Sequence, residues 1–293
     1  MKTVVLGRTG ARVSRLSLGG YPFGGVNLAQ GWNPFEPEGK RVAEETIHRA
    51  LDLGVSLIDT APGYGDRNSE RIIGNVMATR RHECFLATKV GWGGDKTSVT
   101  RSVYESLRCL QTDVLDLVQF HGGMYTEKDY RHIVADGLLD ALLELREAGA
   151  IRFVGVTGEE PWTLRPFVAD GRFDVVQVRY NLIYQSATHH LLDETRKANV
   201  GVLTMRSLTS GIFQRLVRML APEWQEARDV SEVALRFLLS DSRVHACNVG
   251  MRWAWEVERN VALVESFEPA FDVADFPRGT RAVYDAEDAE RAL

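Results

Sequence analysis

The sequence predicts an α/β fold: an eight-stranded parallel β/α barrel of the TIM type, with an N-terminal β-hairpin capping its bottom. Three observations point there. Eight short runs rich in Val, Ile, Leu and Phe recur down the chain, and amphipathic helical patterns separate them. The interiors of the runs lack strict alternation, as expected of parallel strands buried on both faces. No Gly-x-Gly-x-x-Gly turn follows the first run, which weighs against an open dinucleotide-binding sheet. A strand followed by a helix, repeated eight times, fits a closed barrel instead. The 293 residues, 44% of them hydrophobic, suit one barrel domain spanning 1–293.

Taken in order, VVLG-RTG-ARVSRL reads as a hairpin over residues 1–15, with Arg-Thr-Gly as its turn. The barrel strands are Leu16–Gly20, Ser56–Thr60, Cys84–Val90, Leu115–His121, Arg152–Thr157, Asp174–Tyr180, Gly201–Met205 and Ala246–Gly250. Between them, Leu138, Leu139, Leu142 and Leu145 form one helix face that stops at Gly149. Val230, Ala234, Phe237 and Leu238 form another, and Asp229 with Glu232 resembles a capping box at its start. The loop from Tyr21 to Gly39 is rich in Gly, Asn and Pro. The tail from Glu268 to Leu293 (residues 268–293) is acidic and poorly periodic.

Composition excludes several classes. With 35 basic against 40 acidic residues, the net charge of -5 lacks the basic excess of a nucleic-acid binder. No apolar run is long enough for a signal peptide or a membrane span, so a cytoplasmic protein is expected. Cys84, Cys109 and Cys247 are scattered and read as small core residues. His189 and His190 open an expected helix, and His82 and Cys84 flank Glu83 without a credible set of partner ligands, so no metal site is expected.

Barrel active sites lie at the C-terminal ends of the strands. There the sequence places Asp59, then Tyr64 in DTAPGYG, Lys89 in FLATKVG and His121 in LVQFHGG. A carboxylate, a phenol, an ammonium and an imidazole would therefore meet at one rim. Lys89 lies inside an apolar run, where an unpaired ammonium is costly. The set suits reduction of a carbonyl, which needs a proton at oxygen while hydride reaches carbon. A phenol with a pKa of about 10 gives up its proton reluctantly, and a neighbouring ammonium makes it a better acid. Asp59 would orient Lys89, and a neutral His121 would hydrogen-bond the carbonyl oxygen.

These stretches resemble the aldo-keto reductase superfamily over nearly the whole chain. LGRTGARVSRLSLGG, GVSLIDTAPGYGDRNSERIIG, SLRCLQTDVLDLVQFHG, LLELREAGAIRFVGVTG, VVQVRYNLI and ERNVAL all match. The resemblance implies an NAD(P)-dependent oxidoreductase acting on a small aldehyde, ketone or alcohol, sugars among the candidates. Asp59, Tyr64, Lys89 and His121 are its implied catalytic tetrad, with Tyr64 as the general acid. The implied cofactor lies extended across the barrel top, NADP(H) in preference to NAD(H) on family habit. Its implied contacts begin with Gly20, Tyr21 and Asp59, then Thr157, Gly158 and Gln177 at the carboxamide. Ser207, Leu208 and Gly211 would follow the pyrophosphate, and Gly250, Arg252, Glu256 and Asn260 the adenosine end.

Two positions depart from the family pattern. Neither Met205 nor Arg206 is the aromatic residue that commonly stacks on the nicotinamide, so Met205 or the Arg206 plane substitutes, or that face is covered differently. Glu256 stands where a neutral or basic side chain is usual; its carboxylate would repel a phosphate or accept from a ribose hydroxyl. Trp253 and Trp255 read equally as helix packing or adenine stacking.

The substrate pocket is expected to draw on Tyr21, Trp32, Tyr64, Trp92 and His121, with Met124, Tyr125 and part of the tail as further candidates. Two rival readings stay open on the sequence. One is a regulatory barrel that keeps its cofactor without turnover. The other is an epimerase or lyase using transient oxidation, with Asp66 or Glu70 as an extra acid or base.

Overall fold

The structure is a computed structural model that describes residues 1–25, 31–223 and 230–275. Two short strands, β1 (Thr3–Val5) and β2 (Arg12–Ser14), pair antiparallel. Eight more follow: β3 (Leu16–Gly19), β4 (Leu57–Asp59), β5 (Phe85–Val90), β6 (Leu115–His121), β7 (Ile151–Gly158), β8 (Val175–Arg179), β9 (Gly201–Met205) and β10 (Ala246–Gly250). They pair in parallel and in chain order, and β10 closes onto β3. Each expected run is a strand, trimmed or extended by a residue or two at its ends.

The hairpin plugs the bottom of the barrel because its apolar residues have nowhere else to go. Leu6 and Val13 are fully buried there with Leu57, Phe85, Leu117, Val175, Leu203 and Ala246. Gly7, at φ +49, lets the turn lie on the start of β9. A Cβ at that position would come within 2.8 Å of the Asn199 carbonyl oxygen and the Val200 backbone.

Helices coat the outside: α1 (Pro37–Asp52), α2 (Asn68–Arg80), α3 (Lys96–Cys109), α4 (Glu127–Ala135), α5 (Leu138–Glu147), α6 (Arg165–Asp170), α7 (Ser186–His190), α8 (Leu192–Lys197), α9 (Ile212–Leu220), α10 (Val230–Leu239) and α11 (Ala254–Ser266). The expected faces are the buried ones. Leu138, Leu139, Leu142 and Leu145 on α5, and Val230, Ala234 and Leu238 on α10, pack inward. The expected cap Asp229 lies outside the described residues, as do 26–30 of the first long loop and 276–293 of the tail. Among the described residues no helix is long and apolar enough to cross a membrane.

Inside the barrel, side chains stack in layers of four from alternate strands. Leu57, Leu117, Val175 and Ala246, from β4, β6, β8 and β10, belong to the apolar bottom. Two residues further along the same four strands come Asp59, Gln119, Gln177 and Asn248. The core thus turns from wholly apolar to wholly polar within one step, just beneath the mouth.

Candidate active site

Lys89 reaches from β5 toward β4. Its ammonium donates to both Asp59 carboxylate oxygens at 2.7 and 2.8 Å, to the Thr60 carbonyl at 2.8 Å, and to the Tyr64 hydroxyl at 3.4 Å. Asp59 and Lys89 are 1% and 2% exposed. Tyr64 is brought over Lys89 by a tight turn after β4, in which Gly65, Asp66 and Arg67 all take left-handed backbone. Three consecutive left-handed residues, two of them not glycine, store strain of about 1–3 kcal/mol per non-glycine residue. Such strain persists where surrounding bonds hold it: here Arg67 N–H donates to the Pro62 carbonyl, and the Arg67 guanidinium to buried Glu70.

Tyr64 meets the His121 ring edge-on at 5.8 Å and the Tyr21 ring edge-on at 5.1 Å. The loop after His121 is tied to β7, since Gly122 N–H donates to Thr157 Oγ1 and Thr157 Oγ1 donates back to the Gly122 carbonyl. The four expected tetrad side chains therefore do converge.

Their electrostatics follow from crowding and from one another. Burial raises the Tyr64 phenol above its usual range; Lys89 pulls the other way but does not overcome it. The expectation that Lys89 makes Tyr64 a stronger acid thus holds for its contribution, not for the net value. Burial also works against the Lys89 ammonium, yet Asp59 and Tyr64 outweigh it and the group stays raised and charged. His121 stands exposed at the mouth but has protein packed along its inner side. That desolvation, with the Lys89 charge, lowers it to about 4 and keeps the imidazole neutral at pH 7.

Asp59 is the hub of the polar layer. Besides Lys89 it accepts from the side-chain amides of Asn248 at 2.8 Å, Gln177 at 3.1 Å and Gln119 at 3.2 Å. Gln119 and Asn248 were not among the expected site residues. Counting by two would have found them: Gln119 precedes inward-facing His121 by two, and Asn248 precedes Gly250 by two.

The expected cofactor contacts run along the β7–β10 half of the rim and on to the ends of β3 and β4 beside it. Thr157 pairs with Gln177 across β7 and β8, and both are buried with Gly158. Half-buried Met205 ends β9 beside Arg179. Arg206, at φ +55, reaches across to an ion pair with Glu159. Ser207 is buried, its hydroxyl on the Asn248 carbonyl at 2.7 Å, while Leu208 packs on the core and Gly211 faces open space. Gly20 N–H donates to the Asp59 main-chain carbonyl at 2.7 Å, and Tyr21 beside it is 44% exposed. Gly250 is exposed at the end of β10.

At the start of α11, Glu256 accepts from the backbone N–H groups of Arg252 and Trp253 at 2.6 and 3.3 Å. Its carboxylate is held by the helix end. Asn260 is buried facing the groove between α10 and α11. Trp253 and Trp255 stack on each other at 6.0 Å.

The substrate wall is only partly as expected. Tyr21 and half-buried Trp92 stay near the mouth, and Met124 is exposed. Trp32 is 5% exposed within the hydrophobic core, with the Arg252 guanidinium over its ring. Tyr125 is equally buried, against Trp92 and Phe167. Loop aromatics with apolar neighbours bury themselves, and periodicity gives no warning of it. Glu70 is wholly buried, bonded to Thr88 and Arg67, and so is no acid or base for the mouth. Among the described residues no cluster of three His, Cys, Asp or Glu side chains could hold a metal ion.

A closed β/α barrel thus carries, at its mouth, a buried carboxylate–ammonium pair under a phenol and a neutral imidazole. The chain belongs to the aldo/keto reductase family, whose model matches residues 22–275, and is an oxidoreductase of that family. It is 29% identical to L-galactose dehydrogenase of Arabidopsis thaliana over 90% of this chain and 88% of that protein. In structure it is similar to an aldo-keto reductase of Bacillus halodurans in its holo form. That match has TM-score 0.76 and 24% identity, over 94% of both chains. It is also similar to one from Klebsiella pneumoniae in complex with NADP and acetate, at TM-score 0.75 and 22% identity over 94% of both.

Proposed function

We propose that the protein interconverts a small carbonyl compound and its alcohol by hydride transfer, with Tyr64 as general acid in reduction and general base in oxidation. The carrying observation is the Lys89 ammonium shared between Asp59 and the Tyr64 hydroxyl. A bound nicotinamide supplies or accepts the hydride. Tyr64 Oη gives its proton to the carbonyl oxygen as that oxygen becomes negative, and Lys89 stabilises the phenolate left behind. Neutral His121 donates a hydrogen bond to the same oxygen and orients it. Asp59 keeps Lys89 charged and aimed at Tyr64.

The residues along the rim fit a nicotinamide dinucleotide. Arg206, Thr209, Ser210 and Gly211 all take left-handed backbone after β9, and backbone strain of the kind its non-glycine members carry gathers at ligand clamps. Arg206 and Ser210 add a guanidinium and a hydroxyl to that loop, and Gly211 leaves one side open. We favour NADP(H) over NAD(H). Arg252 precedes α11 and Arg259 lies on it, and Glu256, the one residue expected to repel a phosphate, has its carboxylate on two backbone N–H groups. The NADP complex of the Klebsiella relative supports the same choice. A hydroxyl-rich, sugar-like substrate is favoured by the name and coverage of the Arabidopsis relative.

The test is purified protein with NADPH or NADH and a panel of aldehydes, ketones and sugars, plus the oxidised cofactors with the alcohols. Turnover in the wild type that is lost in Tyr64→Phe supports the reading. Cofactor binding without turnover on any member of the panel overturns it.

A further inference from the structure

The structure assigns Asn248 as a positioning residue for the tetrad: its amide fixes how the Lys89 ammonium is divided between Asp59 and Tyr64. This rests on the proposed role of Tyr64 as acid and base.

Asn248 lies in the middle of β10, on the far side of the barrel closure from β4, and its Nδ2 makes the shortest amide contact to Asp59, 2.8 Å to Oδ2. The amide cannot flip without loss. Its Oδ1 accepts from the Ser17 hydroxyl at 3.3 Å, and a flipped amide would set that oxygen against the Asp59 carboxylate. The barrel is shaped around it: a Cβ at Gly19 would fall 2.9 Å from Asn248 Oδ1. The main-chain carbonyl of the same residue accepts from Ser207, whose hydroxyl also pairs with Thr204 at 2.8 Å. One residue therefore anchors both the tetrad carboxylate and the loop after β9.

The consequence follows from counting donors. Asp59 Oδ2 receives Lys89, Asn248 and Gln177, while Oδ1 receives Lys89 and Gln119. Removing the Asn248 donor leaves Oδ2 more dependent on Lys89. The ammonium is then drawn toward Asp59 and away from Tyr64, where its contact is already the longest of the four, 3.4 Å. The groups facing the Tyr64 hydroxyl and ring are Lys89, Asp59, Tyr21 and His121. Lys89 alone among them carries a positive charge at neutral pH, so its retreat makes the phenolate harder to form.

The experiment follows the ¹³C-Cζ tyrosine resonance that is absent from Tyr64→Phe, from neutral pH upward, in wild type and Asn248→Leu. Leu keeps the volume and removes both amide contacts. The ionisation of Tyr64 should begin later in Asn248→Leu by about half a pH unit or more, a roughly threefold change in proton affinity. The rising limb of kcat for alcohol oxidation should move by the same amount, with substrate KM unchanged. A folded Asn248→Leu whose Tyr64 titrates as in the wild type overturns the assignment. If Asn248→Leu does not fold, Ser17→Ala releases the amide orientation instead, and the same delay, smaller, is required of it. The resonance needs no turnover, so failure of the proposed reaction and failure of this assignment are separate results.

Discussion

Asp59 and Lys89 are thirty residues apart in the chain, on neighbouring strands, and 2.7 Å apart in the barrel with both side chains almost wholly buried. Removing two charges from water costs several kcal/mol per ion, and their attraction repays this only where the remaining hydrogen-bonding capacity is also used. Here it is used: three amides complete Asp59, while the Thr60 carbonyl and Tyr64 complete Lys89.

Lys89→Met should therefore cost stability as well as activity. It strands a buried carboxylate among three neutral amides, which is worth a loss of about 3–5 kcal/mol. Asp59→Asn added to Lys89→Met removes the stranded charge and should recover part of that loss. Urea unfolding of wild type, single and double variants reads this directly. A double variant no more stable than Lys89→Met would show that the charge was not the cause.

A second prediction concerns acid. His245 sits just before β10, where its Nδ1 accepts from Val202 N–H at 3.1 Å, a bond only the neutral ring can make. Burial, with a smaller push from Arg15, lowers it to about 4. The unfolded chain binds this proton from its ordinary value of about 6.5 downward, the folded chain only near 4, so stability is full above 6.5 and falls as the pH drops through that window. Because the ring is part exposed, a loss of about 1–2 kcal/mol is expected rather than the full shift. His245→Asn keeps an acceptor for Val202 and should flatten the decline between pH 6.5 and 4. An equally steep decline in that variant would assign the acid sensitivity elsewhere.

The strands and the tetrad were legible for the same reason. A parallel strand buried on both faces shows as an apolar run, and a charged residue inside or at the end of one, such as Lys89 or Asp59, stands out by its cost. Asn248 was hidden because ACNVG still reads as an apolar run with one small polar member. Only its register against β3 and β4 shows which carboxylate it meets. Trp32 was misplaced for a different reason. Its loop has no periodicity, and whether a loop aromatic faces a mouth or a core depends on what packs over it, here Arg252 and the core beside α1.

The polar layer also dictates a glycine. Gly155, in the middle of β7, faces inward where a Cβ would come within 2.9 Å of Gln119 Cγ and 2.8 Å of the Val175 carbonyl oxygen. The second contact is backbone and cannot yield by changing rotamer. Gly155→Ala should cost about 1–3 kcal/mol through overpacking and should also lower kcat, by pushing Gln119 off Asp59. Thermal unfolding and turnover measured together test the pairing of effects. Lost stability with unchanged kcat would mean that Gln119 does not matter to the tetrad.

The loop after β9 offers the sharpest separation of stability from function. Arg206 holds a left-handed backbone that suits glycine, at φ +55, and its guanidinium lies partly exposed on Glu159. Arg206→Gly relieves about 1 kcal/mol of backbone strain and forfeits an exposed ion pair worth about 0–1 kcal/mol, so the melting temperature should stay level or rise slightly. If the loop holds the cofactor as proposed, the same change removes a guanidinium from it and should weaken NADPH affinity roughly tenfold. Quenching of tryptophan fluorescence on titration with NADPH measures it, and raised salt should narrow the gap between wild type and variant. Equal affinities would mean that Arg206 serves only to hold Glu159, and the loop's left-handed run would need another explanation.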